Sequence, residues 1–273
     1  MPGSGTDRGR ARRRAAKCRQ LAQWRHYPRT VFVKICGITN EEDGLLAVAM
    51  GADAVGFVFA PGSSRQIAVA QARDIARRLP PEVTTVGVFR DEAPQRVVEM
   101  VHAAGLHGVQ LHGHETPAEG KWVRQRVQFL IQAFSAGDRM LERIDEYTAA
   151  DAVLIDSSSP GSGQVFDWVL AEGLPLHRRV ILAGGLDAEN VAEAIHRIHP
   201  WGVDVSTGVE KSAGRKDATK VMRFINQAKA AAELDGEQQI DLGPGLLHRA
   251  ESADPDPLDD ALVYDWEEDA SPA

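Results

Sequence analysis

The chain has 273 residues, 43% hydrophobic and 26% charged, with a formal net charge of -8. The excess belongs to the ends: residues 1–30 carry nine Arg or Lys and one Asp, and residues 233–273 thirteen Asp or Glu and one Arg. The roughly 200-residue middle is near neutral, so overall charge says little about a ligand, and the absence of any run approaching about 18 apolar residues argues against a membrane span.

Three regions are expected: a basic extension over 1–30, a folded domain over 31–232, and an acidic tail over 233–273. Arg8, Arg10, Arg12, Arg13, Arg14, Lys17 and Arg19 would suit a nucleic-acid arm or a targeting segment. An extension without fixed structure is the simpler expectation, and nucleic acid is not an expected partner. The tail repeats Gly, Pro and Asp, as in Asp254-Pro255-Asp256-Pro257, and reads as disordered. Cys18 and Cys36 are the only cysteines, and Cys18 lies in the basic arm. A structural disulfide is therefore not expected, and a reducing, cytoplasmic compartment fits. Two cysteines and nine scattered histidines give no metal-site spacing.

The first apolar run, Val31 to Ile38, is a β-branched segment closed by glycine and predicts a buried strand. Its two-residue period puts Lys34 and Cys36 on one side and Val33 and Ile35 on the other. Thr39 or Asn40 then precedes Glu41 and Glu42, a helix start. Further strands are predicted over 53–59, 83–89, 108–111, 128–134, 151–155, 179–183 and 203–205. The helices between and after them are predicted over 69–79, 94–104, from Pro117, 138–147, 166–172, 188–198 and 218–231. Eight strand-helix units repeating every 25 residues or so suit an α/β fold of the closed (β/α)8 barrel type. An open doubly wound sheet fits less well, since the first strand lacks G-x-G-x-x-G after it.

In such a barrel the strand tips converge on one face, where chemistry is done. Gly184 and Gly185 after the seventh strand, with Ser206, Thr207 and Gly208 after the eighth, allow close backbone approach and offer N–H groups to a phosphate. Asp156 follows Ala152 and Leu154 in the inward phase and reaches the rim, although it could equally cap the next loop. Cys36 could be a small buried hydrophobe. If it faces Asp156 across the mouth, a thiolate can take a proton from carbon while a carboxyl gives one to oxygen, which suits an isomerisation. Arg65, in the loop after the second strand, could clamp a carboxylate or be a surface arginine. His112 could line the pocket or bond a neighbouring loop, and Gly163 closes the loop after the sixth strand. Lys34 needs an interior partner, for which Asp204, in phase with Ser206, is the candidate.

The blocks K-I-C-G-I-T at 34–39, G-A-D-A-V-G-F-V-F at 51–59, V-Q-L-H-G at 109–113, L-I-D at 154–156, L-A-G-G-L at 182–186 and G-V-D-V-S-T-G-V-E at 202–210 stand in an order that resembles phosphoribosylanthranilate isomerase. The resemblance spans about Val31 to Ala231. It implies a (β/α)8 fold and a cofactor-free Amadori rearrangement of a small phosphorylated substrate in tryptophan biosynthesis. It also implies Cys36 as general base, Asp156 as general acid, Arg65 on the anthranilate part, and Gly184, Gly185, Ser206 and Gly208 on the phosphate. The loop Pro61-Gly62-Ser63-Ser64-Arg65 departs from the family's usual P-K-S-P-R, which leaves open a modified anthranilate or another phosphosugar as substrate. A non-catalytic barrel binding partners through its charged ends is the contrasting expectation. A monomer is expected, because a closed barrel has no edge strand to pair.

Overall fold

The computed structural model describes residues 30–135, 139–156 and 178–240, with 235–240 described by backbone alone. The basic extension, the sixth predicted helix over 166–172, Gly163 and the acidic tail beyond 240 lie outside the described residues. The chain divides into two units, Met1–Gly236 and Glu237–Ala273, and the first carries the barrel.

Eight parallel strands close on themselves in sequence order: β1 (Phe32–Cys36), β2 (Ala54–Val58), β3 (Thr84–Phe89), β4 (Gly108–Leu111), β5 (Phe129–Ser135), β6 (Ala152–Asp156), β7 (Val180–Ala183) and β8 (Gly202–Val205). Lys34 pairs with Ala54 on one side and with Asp204 on the other, so the strand that opens the barrel also closes it. This is the predicted (β/α)8 architecture. The α-helices between and after the strands are Glu41–Ala49, Val69–Ala76, Pro94–Ala104, Pro117–Arg124, Val191–Ile198 and Ala218–Ile240.

Two apolar layers follow from the strand period. Val33, Ile35, Val55, Phe57, Val153, Ile155 and Val203 face outward and pack under the helices. Val86, Ile131, Ala133, Ala152, Leu154, Ile181 and Ala183 fill the barrel interior. A fully buried side chain such as Phe57 or Leu154 contributes about 1.5–3 kcal/mol. At the N-terminal end of the strands Phe32 stacks on Trp201 at 4.5 Å between ring centres.

Element ends differ from the sequence reading for identifiable reasons. The second and sixth strands start one residue later than read, and the acid before each bonds the neighbouring strand through its side chain as well as its backbone. Asp53 Oδ2 accepts from the Val33 N–H at 2.8 Å, and Asp151 Oδ2 from the Leu130 N–H at 2.8 Å. The predicted fifth helix over 138–147 is a 3₁₀ helix, Arg139–Glu146. That form rises about 2.0 Å per residue against about 1.5 Å, so it spans more distance with the same residues. Arg178 collects carbonyls in and after the last turn of this helix, from Ile144 at 2.8 Å and from Tyr147 and Ala150 at 2.8 and 3.1 Å. The seventh predicted helix starts at Val191 instead of Ala188, because Asp187 Oδ1 accepts the N–H groups of Glu189 and Asn190 at 2.9 and 3.0 Å and holds them in a turn. The last helix runs to Ile240, past the expected Ala231.

A two-stranded hairpin after β8 has no counterpart among the predicted elements. Its strands β9 (Glu210–Ser212) and β10 (Arg215–Lys216) pair antiparallel around Gly214, whose φ of 73° suits glycine. The Thr39 hydroxyl donates to the Gly214 carbonyl at 2.6 Å, and Asp43 Oδ2 accepts the Lys216 N–H at 2.9 Å. The hairpin is thereby tied to the loop and the first helix turn that follow β1.

Candidate active site at the C-terminal mouth

Parallel register carries the inward phase from strand to strand, so Lys34, Cys36, Gly56, Gln110, Leu154, Asp156 and Asp204 share the interior side. Lys34 has no exposed surface, and its Nζ donates to Asp204 Oδ1 at 2.9 Å. One residue pair higher, Cys36 is a free, buried thiol. Gly56 makes room for both: a Cβ there would stand 2.8 Å from Cys36 Sγ and 3.2 Å from Lys34 Nζ. Burial would lower the Lys34 pKa, but Asp204 and the neighbouring sulfur together hold it above the ordinary lysine value. Burial pushes the Cys36 thiol up, while Lys34 and Lys216 pull against it.

Arg65 crosses from the loop after β2 to the β8 side. A Cβ on Gly37, whose φ is 77°, would stand 2.6 Å from Arg65 Cδ and 2.9 Å from Ser206 Oγ. The guanidinium donates through Nε and Nη2 to the two oxygens of Glu210 at 2.8 and 2.7 Å. Nη2 also reaches Thr207 Oγ1 at 3.4 Å, so the Thr207 hydroxyl, expected at the phosphate end, lies against the arginine. Lys216 is buried and donates to Glu210 Oε1 at 3.0 Å and to the Ser206 carbonyl at 3.1 Å. Burial lowers its pKa despite Glu210. Burial alone would raise the Glu210 carboxyl, yet Arg65 and Lys216 hold it below the usual range. Neither Glu210 nor Lys216 stands out in the sequence. The only signal is that Glu210 ends the family-like block at 202–210.

Gly184 and Gly185 take φ of 83° and 65°, conformations in which an L side chain is strained. The Asn190 amide donates to the Gly185 carbonyl at 2.9 Å and fixes this turn. A Cβ on Gly208 would collide with the Leu186 carbonyl oxygen, which packs the loops after β7 and β8 together. Ser206 Oγ is buried and has no hydrogen-bond partner among the described residues.

His112 follows β4, and its Nε2 lies 3.3 Å from Asp156 Oδ2, with side chains 29% and 21% exposed. His112, expected to line the pocket or bond a neighbouring loop, stands at the mouth beside the Asp156 carboxyl group. Among the described residues no cluster of His, Cys, Asp or Glu could hold a metal ion.

A closed parallel barrel whose C-terminal mouth gathers a buried thiol, a carboxylate, an arginine and glycine-lined turns is an enzyme of the (β/α)8 class. The family model for N-(5'-phosphoribosyl)anthranilate isomerase matches residues 33–227. The chain is 50% identical over 206 residues to the isomerase of Desulforudis audaxviator, covering 73% of this chain and 98% of that one. It is 47% identical over 202 residues to that of Pelobacter propionicus, covering 72% and 95%. The crystal structure of the Thermotoga maritima enzyme superposes with a TM-score of 0.68 at 43% identity, covering 73% of this chain and 99% of that one. The chain belongs to the phosphoribosylanthranilate isomerase family.

Proposed function

We propose that Cys36 and Asp156 divide the proton transfers of the reaction this family performs, with Arg65 and the loops after β7 and β8 holding the two ends of the substrate. The chain is an isomerase of tryptophan biosynthesis, converting N-(5-phosphoribosyl)anthranilate into 1-(2-carboxyphenylamino)-1-deoxyribulose 5-phosphate by an Amadori rearrangement. The observation that carries the assignment is that β1 and β6 deliver a thiol and a carboxylate to one mouth in the same inward phase.

In this mechanism the Asp156 carboxyl gives its proton to the furanose ring oxygen as the C1–O bond breaks, and the aniline nitrogen lone pair forms the C1=N bond. The cation acidifies the proton on C2, which passes to the Cys36 thiolate while its electron pair closes the C1=C2 bond of an enolamine. Tautomerisation yields the ketone, and proton exchange restores both groups. Lys34 and Lys216 offset part of the cost of a buried thiolate. Gly184, Gly185, Ser206 and Gly208 bind phosphate, while Arg65 takes the anthranilate carboxylate. Held at both ends, the substrate presents C2 to the sulfur, so remote binding energy is used for alignment.

The test is turnover of freshly formed phosphoribosylanthranilate, followed by loss of its fluorescence. Cys36→Ala and Asp156→Asn should each lower kcat by at least about 100-fold. Wild-type rates in either variant would remove that residue from its role. The catalytic unit is residues 31–232, supported by the family match over 33–227, and truncation to that span should retain turnover. A monomer is the proposed state, since the closed strand order rules out association by edge-strand pairing, and light scattering reads the mass directly.

A further inference from the structure

We infer that Glu210 is a positioning residue that fixes Arg65 so that one edge of its guanidinium is presented to the substrate carboxylate. This deepens the reading of Arg65 given above and rests on it. An arginine has two edges able to make paired hydrogen bonds, Nε with Nη2 and Nη1 with Nη2. Glu210, whose side chain is only 4% exposed, occupies the first edge with two short bonds. Among the described residues the second edge carries only weak contacts, Nη1 to Ser64 Oγ and Nη2 to Thr207 Oγ1, both at 3.4 Å. These lie at the long limit for such bonds, and an incoming carboxylate can displace them. The two hydroxyls, freed to rotate, then flank it as donors.

Glu210 does not cancel the charge that draws the carboxylate in, because Lys216 shares it at 3.0 Å. Two cations and one anion leave a net positive charge beside the mouth. The stem of Arg65 rests against Gly37, the residue after Cys36. The free edge therefore has a set position relative to the thiol, which suits a residue that must align C2 as well as bind. Ser64 stands where the family pattern usually has proline, and its hydroxyl lies beside Nη1.

The probes are the reduced form of 1-(2-carboxyphenylamino)-1-deoxyribulose 5-phosphate and its phenyl counterpart lacking the carboxylate, both titrated calorimetrically against the full chain. Glu210→Gln keeps the shape and removes the charge. It should weaken the carboxylated ligand about tenfold, the scale of one charge-assisted hydrogen bond, and leave the phenyl ligand within about twofold. In turnover the same variant should raise KM more than it lowers kcat. If Glu210 served only to neutralise Lys216, the double variant Glu210→Gln with Lys216→Met would restore the carboxylated ligand, and restoration overturns the inference. Equal weakening of both ligands, or of neither, overturns it too. Arg65→Ala separates the two readings: unchanged binding of the carboxylated ligand there removes the clamp itself, whereas a loss in Arg65→Ala without one in Glu210→Gln removes only the positioning. Should Glu210→Gln not fold, the double variant Ser64→Ala with Thr207→Val tests the free edge, with about threefold weakening expected for the carboxylated ligand alone and no change counting against the inference.

Discussion

His112 Nε2 stands 3.3 Å from Asp156 Oδ2, and the amide nitrogen of Gln110 stands 3.3 Å from the other ring nitrogen, Nδ1. The Gln110 amide nitrogen can only donate, so Nδ1 is the acceptor of that contact and Nε2 is the ring nitrogen that faces the carboxyl group. The tips of β4 and β6 thus meet across β5, with the imidazole beside the carboxyl group.

His112→Ala should therefore slow turnover by about tenfold with little effect on KM, because it frees the acid without removing it. His112→Asn, which can still donate, should recover part of the loss. Combined with Asp156→Asn, His112→Ala should cost nothing further. Additive losses in steady-state kinetics would show that the histidine has an independent task.

The Lys34 to Asp204 bond is buried between the first and last strands, with Lys34 unexposed and the Asp204 side chain 8% exposed. Removing one partner leaves an uncompensated interior charge and typically costs about 3–5 kcal/mol, more than removing both with well-packed replacements. Lys34→Met and Asp204→Leu should each lower the urea midpoint more than the double variant does. A double variant no more stable than the worse single would reject the pair as an electrostatic unit.

Cys36 is buried and its thiol is pushed up, with Lys34 and Lys216 opposing the rise. Lys216→Met should remove one of these pulls and move thiolate formation to higher pH. Alkylation of the full chain by iodoacetamide reads this directly, with Cys36 followed by peptide mass analysis to separate it from Cys18. The inflection for Cys36 should move to higher pH. An unmoved inflection would mean that Lys216 serves only Glu210.

The barrel is legible because its signals are local. Each strand is a β-branched run ended by a polar or glycine tip, and the period of two already sets Lys34, Cys36, Asp156 and Asp204 on one side. Lys34 needs a partner, and phase alone points to Asp204, 170 residues away. The hairpin over 210–216 leaves no such trace. Lys211-Ser212-Ala213-Gly214-Arg215-Lys216 reads as solvated loop, yet Lys216 is buried by contacts with Glu210 and the Ser206 carbonyl that only the closed fold creates. Likewise, nothing near Arg65 announces that Glu210, 145 residues on, takes one edge of its guanidinium, or that His112 turns to Asp156.

The Arg65, Glu210 and Lys216 network also sets an acid limit on stability. The Glu210 carboxyl is held below the ordinary value of 4.5 in the fold by its two cations, against the opposing effect of burial. A carboxyl depressed in the fold binds protons more weakly there than in the unfolded chain. Its stabilisation is therefore complete above the unfolded value and is lost as pH falls through the lower folded one. Glu210→Gln should be less stable than the parent at neutral pH, and the gap in urea midpoint should close as pH drops below about 4.5. Other carboxylates titrate in the same range, so the comparison that counts is parent against variant at each pH, read by far-ultraviolet circular dichroism. A gap that stays constant from pH 7 to pH 3 would show that Glu210 stabilises by shape alone and that its two short bonds to Arg65 carry no charge-dependent share.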